Sequence, residues 1–179
     1  MNIRQDPRMA GCVLRWHTWP HLREQTVADH TWQTMRMLLA IWPLAPQEML
    51  VYVLGHDAGE IATGDMPYPV KKNNPALKRE ADRIEKEARL AMCIPWGFPP
   101  SRPIPEPWMV IFKLAEFMEM WEDGHHELML GNRFAAPVVT RCWTEIAVRL
   151  ESLEESEPLI VERAKMYTER RRVEWGIAE

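Results

Sequence analysis

The sequence predicts an all-α fold, a bundle of about six helices, and three observations carry that expectation. Apolar residues recur at the three-and-four spacing of a helical face. No run alternates long enough to promise a sheet. Prolines, glycines and asparagines punctuate the helical periods at starting and stopping positions.

The elements follow in order. Residues 26–42 carry Val27, Trp32, Met35, Leu38, Leu39 and Trp42 on one face, and Pro43 stops them. Pro46 opens a second helix through Met49, Leu50, Val53 and Leu54 to about Gly64. Residues 65–74, with Pro67, Pro69 and Asn73-Asn74, are expected to form a loop, and Asn74-Pro75 starts a third helix to about Met92. Six prolines make residues 94–107 an extended connection. A fourth helix is expected over 108–122, ending at Gly124, a fifth over 134–153, and a sixth from Pro158 to about Gly176.

A chain of 179 residues suits one domain, 1–179, with a substantial core. With 46% hydrophobic and 27% charged residues and a net charge of −4, it lacks the basic balance of a nucleic-acid binder. The longest apolar run, 35–44, is broken by Arg36 and is far short of the roughly 20 residues of a membrane span. The N-terminal residues lack the apolar stretch of a signal peptide, so a cytoplasmic protein is expected. Cys12, Cys93 and Cys142, odd in number and unpaired in spacing, read as buried, reduced thiols.

The chemistry concentrates in LGHDAGEIATGD, residues 54–65. His56 and Asp57 are adjacent, and Glu60 lies one helical turn from both. Gly55 and Gly59 each cost a helix up to about 1 kcal/mol against Ala, so they are expected to make room for something. A solvated helix end whose glycines permit close packing accounts for the same residues. His30, between Val27 and Thr34, alone reads as an ordinary satisfied histidine; with His56 and the carboxylates it completes a donor set for a divalent transition metal. Glu60 is then the natural group to orient a water or shuttle its proton.

VADHTW around His30, LGHDAGE around His56, Asp57 and Glu60, TGDMPYPVKK after them, and the Arg15-Trp16 pair ahead of the first histidine resemble the HD-domain metal-dependent phosphohydrolases. Within these the resemblance is to the 5'-deoxyribonucleotidases and short viral deoxynucleoside triphosphohydrolases. It covers residues 14–72, and KLAEFMEMW extends it to about 132. It implies His30, His56 and Asp57 as metal ligands, Glu60 at the attacking water, and Asp65 as a carboxylate at the sugar or phosphate. Arg15 and Lys71 correspond to phosphate contacts, and Trp16 to an aromatic that crowds the sugar 2' position. The last ligand of the family is an aspartate in K-x-A-D, where this chain has Glu116; Asp123, two turns on, is the alternative.

The resemblance implies one divalent metal (Co2+, Mn2+, Zn2+ or Fe2+) and hydrolysis of the 5'-phosphate of a 2'-deoxynucleotide. The runner-up is a dNTP triphosphohydrolase, dATP first, for which Lys71, Lys72, Lys78 and Arg79 would hold the polyphosphate. A catalytically weak nucleotide-binding or assembly protein is a third reading. Expected partners are the deoxynucleotide and further copies of the chain, as dimer or hexamer, with no nucleic-acid polymer and no membrane. Elsewhere, His125-His126 read as a surface turn ending a helix, and Lys78 to Arg89 as a solvated face with Glu80–Arg83 and Glu85–Arg89 pairs.

Overall fold

The structure is a computed structural model that describes residues 6–96 and 103–177, apart from the side chains of Tyr68 and residues 93–96. Among the described residues it holds eight α-helices: α1 Pro7–Ala10, α2 Val27–Ile41, α3 Gln47–Gly55, α4 Tyr68–Asn73, α5 Pro75–Trp96, α6 Glu106–Met129, α7 Ala136–Leu153 and α8 Pro158–Glu174. Two 3-10 turns, Ala58–Ile61 and Arg133–Ala135, and one isolated bridge between Leu14 and Thr26 complete it. No described helix is long and apolar enough to cross a membrane.

The described residues fall into two compact units. One is drawn from Met1–Trp32 and Val51–Pro103, the other from Gln33–Leu50 and Ile104–Glu179. In the first unit a capping box starts α2: the Asp29 N–H donates to Thr26 Oγ1 at 3.2 Å, and the Thr26 N–H returns to Asp29 Oδ2 at 3.0 Å. The Val27 N–H reaches Val13 O at 2.9 Å, tying the start of α2 to the segment that carries Arg15 and Trp16.

The second predicted helix is cut short. α3 stops at Gly55, a turn carries His56 and Asp57, and a 3-10 turn replaces the expected last helical turns. Gly64, at φ 73°, closes this segment in the left-handed region, with its N–H on Glu60 O at 2.6 Å. The segment 65–74 also differs from the expected loop, because α4 forms inside it once Pro69 takes an early helical position whose N–H needs no partner. The expected connection 94–107 is shorter than its prolines imply: α5 runs to Trp96 and α6 begins at Glu106, residues 97–102 lying outside the described ones.

In the second unit α6 packs on α7 through Gly124, where a Cβ would stand 2.7 Å from Val139 Cγ2. Gly124 therefore serves helix approach and does not end α6, which continues to Met129. Hence His125 and His126 lie within the helix, not in a surface turn. Their rings pack on Trp175 at 5.2 and 5.4 Å between centroids, and His125 meets Trp121 at 4.8 Å. Burial, with the charge of His126 beside it, lowers the His125 pKa. Phe112, Leu114, Met118 and Ile146 are fully buried in this core.

Glu122 is buried in the same unit and is satisfied three times. Tyr167 Oη donates to its Oε1 at 2.9 Å, and the Arg36 and Arg171 guanidiniums pair with its two oxygens. Such a node is costly to break, since removing one partner leaves a buried charge uncompensated.

The cysteines divide. Cys142 is buried, and burial pushes its thiol up to about 12, whereas Cys12 is exposed, which corrects the expectation that all three are buried. The Cys93 thiol lies outside the described side chains. Iodoacetamide on the native protein is expected to label Cys12 and spare Cys142, read by peptide mass spectrometry. Equal labelling of the two would contradict the burial of Cys142.

Candidate active site

The first unit brings Arg15, Trp16, His30, His56, Asp57, Glu60, Asp65 and Lys71 into one connected group. At its centre is Asp57 Oδ2, 3.2 Å from His56 Nε2, 3.7 Å from His30 Nε2 and 2.9 Å from Arg15 Nη1. The capping box places His30 in the first turn of α2, where its side chain is 1% exposed. The turn after α3 lets the adjacent His56 and Asp57 face one point, which consecutive residues of a continuing helix do not do. The two imidazoles stand 5.4 Å apart between centroids.

The His56 ring is oriented from behind. Its Nδ1 lies 2.6 Å from Val53 O. A carbonyl only accepts, so Nδ1 carries the hydrogen, and in the neutral ring Nε2 presents its lone pair. A neutral lone pair facing a carboxylate oxygen is repulsive unless a proton or cation lies between them. The charges of the surroundings point the same way. Burial alone would raise the Asp57 carboxyl, but positive charge beside it, from His56 and His30 when protonated and from Arg15, outweighs burial and holds Asp57 well below the usual carboxylate range. Two imidazoles, one backed by a backbone carbonyl, around an ionised carboxylate fit a divalent transition metal by the chemistry of the donor set.

Glu60 sits on the 3-10 turn and is 5% exposed. Its buried Oε2 has no hydrogen-bond partner among the described residues. Burial raises its pKa to about 8, reinforced by Asp57 and Asp65 and opposed by Arg15 and Lys71. A carboxyl in that range can take up and release a proton near neutral pH, as general acid–base chemistry requires. A cation at the His–Asp group would favour its ionised form.

Trp16 is held by three contacts that the sequence motif does not announce. It takes φ 60°, a left-handed conformation uncommon outside glycine. Its N–H donates to Asp65 Oδ2 at 3.2 Å, its indole N–H donates to Gln25 Oε1 at 2.9 Å, and the His21 ring lies parallel at 5.8 Å. Asp65 thus secures the strained backbone of the indole.

Glu85, on α5, was expected to pair with Arg89; instead its Oε1 accepts from Thr63 Oγ1 at 2.9 Å and Lys71 Nζ at 3.3 Å. Glu80 pairs with Arg83 as expected. The space kept by Gly59 is filled by α5: a Cβ there would stand 2.2 Å from Glu85 O. Gly55 would meet nothing within 4 Å. At Gly59 the close-packing account therefore holds, and the room it keeps is taken by the α5 backbone. The contacts of Glu85 with Lys71 and Thr63, 14 and 22 residues away, and of Gln25 with Trp16, 9 residues away, follow no helical spacing that marks them in the sequence.

Glu116 and Asp123 belong to the other unit. Both lie on α6 and are buried, and Glu116 pairs with Lys113 one turn earlier.

Comparison with known proteins supplies a further finding. Residues 8–96 match the YfbR-like family, described as 5'-deoxynucleotidase YfbR-like. The 5'-deoxynucleotidase of Photorhabdus laumondii subsp. laumondii is 31% identical over 86 residues, 43% of this chain and 44% of that protein. Those of Yersinia pestis and Yersinia pseudotuberculosis are each 30% identical over the same length and the same shares. The matched stretch therefore spans less than half the length of these relatives. The family match, residues 8–96, contains the whole first-unit group and ends before α6.

Proposed function

Residues 8–96 carry the YfbR-like 5'-deoxynucleotidase pattern, and from that premise we propose that this chain is a metal-dependent phosphohydrolase. Its reaction is 2'-deoxynucleoside 5'-monophosphate plus water giving deoxynucleoside plus phosphate. The observation that carries the reading is the convergence of His56 Nε2 and His30 Nε2 on Asp57 Oδ2, with Glu60 beside them. In this reading His30, His56 and Asp57 hold one divalent transition ion, and Glu116, in the K-x-A-E stretch of α6, is the fourth ligand. When bound, such an ion supplies Lewis-acid polarisation of a phosphoryl oxygen and a lowered pKa for water.

The chain's own residues do the rest. Glu60 accepts and returns a proton at the attacking oxygen. Arg15 and Lys71 meet the phosphate, where positioning and charge neutralisation account for most of the acceleration. Asp65 secures Trp16 through its backbone N–H, and the indole crowds the 2' position of the sugar. A monophosphate is preferred to a triphosphate as substrate. Support for the monophosphate comes from the matched relatives, each named a 5'-deoxynucleotidase. Pool adjustment in the cytoplasm, by a chain acting with further copies of itself, is the setting proposed.

The test is product identity across dNMPs and dNTPs with Mn2+ or Co2+ supplied. Phosphate from dNMPs is expected. Triphosphate from dATP would transfer the proposal to the triphosphohydrolase, and no product from either would end both. For Trp16→Ala the expected outcome is a fall of about tenfold in the deoxy-to-ribo ratio of kcat/KM, measured on one base in both sugars. An unchanged ratio would remove Trp16 from sugar selection.

A further inference from the structure

The Arg15-Trp16 pair is held from a single position across the chain. Leu14 and Thr26 form an antiparallel bridge, and beside it the Arg15 N–H donates to Gln25 O at 2.9 Å. The side chain of the same residue takes the next one along, because Gln25 Oε1 accepts the Trp16 indole N–H at 2.9 Å. Gln25 thus ties the backbone of the arginine and the ring of the tryptophan at once. An indole N–H only donates, so the amide turns its oxygen and not its NH2 group toward the ring.

Gln25 is itself a firm anchor. It is buried, its carbonyl is tied to Arg15, and Thr26 after it is locked with Asp29 in the capping box of α2. A buried side chain on backbone fixed at both sides keeps little rotamer freedom.

The other contacts of Trp16 hold its backbone or one face of its ring. Its N–H donates to Asp65 Oδ2 at 3.2 Å and its carbonyl accepts from the Trp19 N–H at 2.8 Å, which fixes the main chain and leaves the side-chain torsions. The parallel His21 ring opposes tilt on one side and leaves sliding within the ring plane. A directional hydrogen bond at the ring edge stops that sliding.

Rigidity matters for what the ring is proposed to do. A pocket wall excludes an added hydroxyl only as firmly as the wall resists displacement, and apolar walls that yield discriminate weakly. We infer, on the reading of this site as a 5'-deoxynucleotidase, that Gln25 is a positioning residue for sugar selection. Its side-chain carbonyl holds the Trp16 indole against the 2' position, so that a ribonucleotide meets a wall that does not swing aside. In this role Gln25 acts only through Trp16.

The test is kcat/KM of the full chain, with Mn2+ or Co2+ supplied, on the deoxy and ribo monophosphates of one base. Gln25→Leu and Gln25→Met, apolar and of similar size, are each expected to lower the deoxy-to-ribo ratio about threefold, the effect of one lost hydrogen bond. Gln25→Glu keeps an acceptor oxygen and is expected to keep the parental ratio. Damage to the fold would depress both sugars together and leave the ratio alone. Trp16→Phe has no N–H to hold, so adding Gln25→Leu to it is expected to change the ratio no further. A second readout needs no turnover: the Trp16 indole N–H resonance, identified by its absence in Trp16→Phe, is expected to exchange with solvent about tenfold faster in Gln25→Leu.

From a selective parent, an unchanged ratio in both apolar variants would overturn the inference. So would an equal fall in the Trp16→Phe background, or an unchanged exchange rate. A parent that hydrolyses neither sugar, or both equally, would instead overturn the reading of the site, and the exchange rate would still decide whether Gln25 holds the ring.

Discussion

Gly59→Ala is expected to lose about 3 kcal/mol or more of stability, read as a lower urea midpoint at unchanged m. The Cβ it adds would stand 2.2 Å from Glu85 O, 2.6 Å from its carbonyl carbon and 2.8 Å from its Cα. A side chain in that position could rotate away, but this is the backbone of α5, held by its own helix. Relief therefore requires α5 to move bodily off the turn that carries Glu60. Gly55→Ala is the control with the opposite expectation. Its Cβ meets nothing within 4 Å at the end of α3, and Ala gains up to about 1 kcal/mol over Gly through helix propensity and a less disordered unfolded chain. Two Gly→Ala changes four residues apart should thus move the midpoint in opposite directions. A Gly59→Ala protein as stable as the parent would mean that α5 does not pack where it is seen.

His56→Ala is expected to lose bound metal and activity together, the latter to below about 1% of the parent. Glu60→Gln is expected to keep the metal and lower kcat by roughly 10²- to 10⁴-fold, the range of a lost general acid–base group. Metal content by mass spectrometry and steady-state phosphate release separate the two variants. The separation follows from where the side chains stand. His56 points its Nε2 at Asp57 Oδ2 and is fixed by Val53 O, so its loss removes a donor. Glu60 lies on the next turn with one buried oxygen having no hydrogen-bond partner among the described residues, so its loss removes proton chemistry and spares the donor set. Metal-loaded, active His56→Ala would show that the donor set is misassigned, and full turnover by Glu60→Gln would displace Glu60 from the reaction.

Much of the fold and the centre of the site were legible in the residues themselves. Helical periodicity is a local property of side-chain spacing, and α2, α5, α7 and α8 lie within a few residues of where periodicity put them. The all-α class needs no more than that. The pairing of a histidine in VADHTW with the His-Asp step of LGHDAGE was likewise visible, because the motifs are short and each residue's type is the chemistry it offers.

What the sequence by itself determined, then, is the helical class, the main helices and the residue types at the centre of the candidate site. Only the tertiary structure decided how those types are held. The break of α3 at Gly55 turns two adjacent residues to one point, and no spacing rule distinguishes it from a continuing helix. The contact of Gly59 with the α5 backbone, the capture of Lys71 by Glu85, and the left-handed Trp16 tied to Asp65 and Gln25 join residues far apart in the chain. Gly124 lies on an approach of two helices and ends neither, and Cys12 and Cys142 differ only in what covers them. The physical reason is common to all of these. Local propensity depends on neighbours within a turn, which a sequence states directly, whereas burial, backbone approach and the pairing of charges depend on which surfaces meet, and these exist only after the helices have packed.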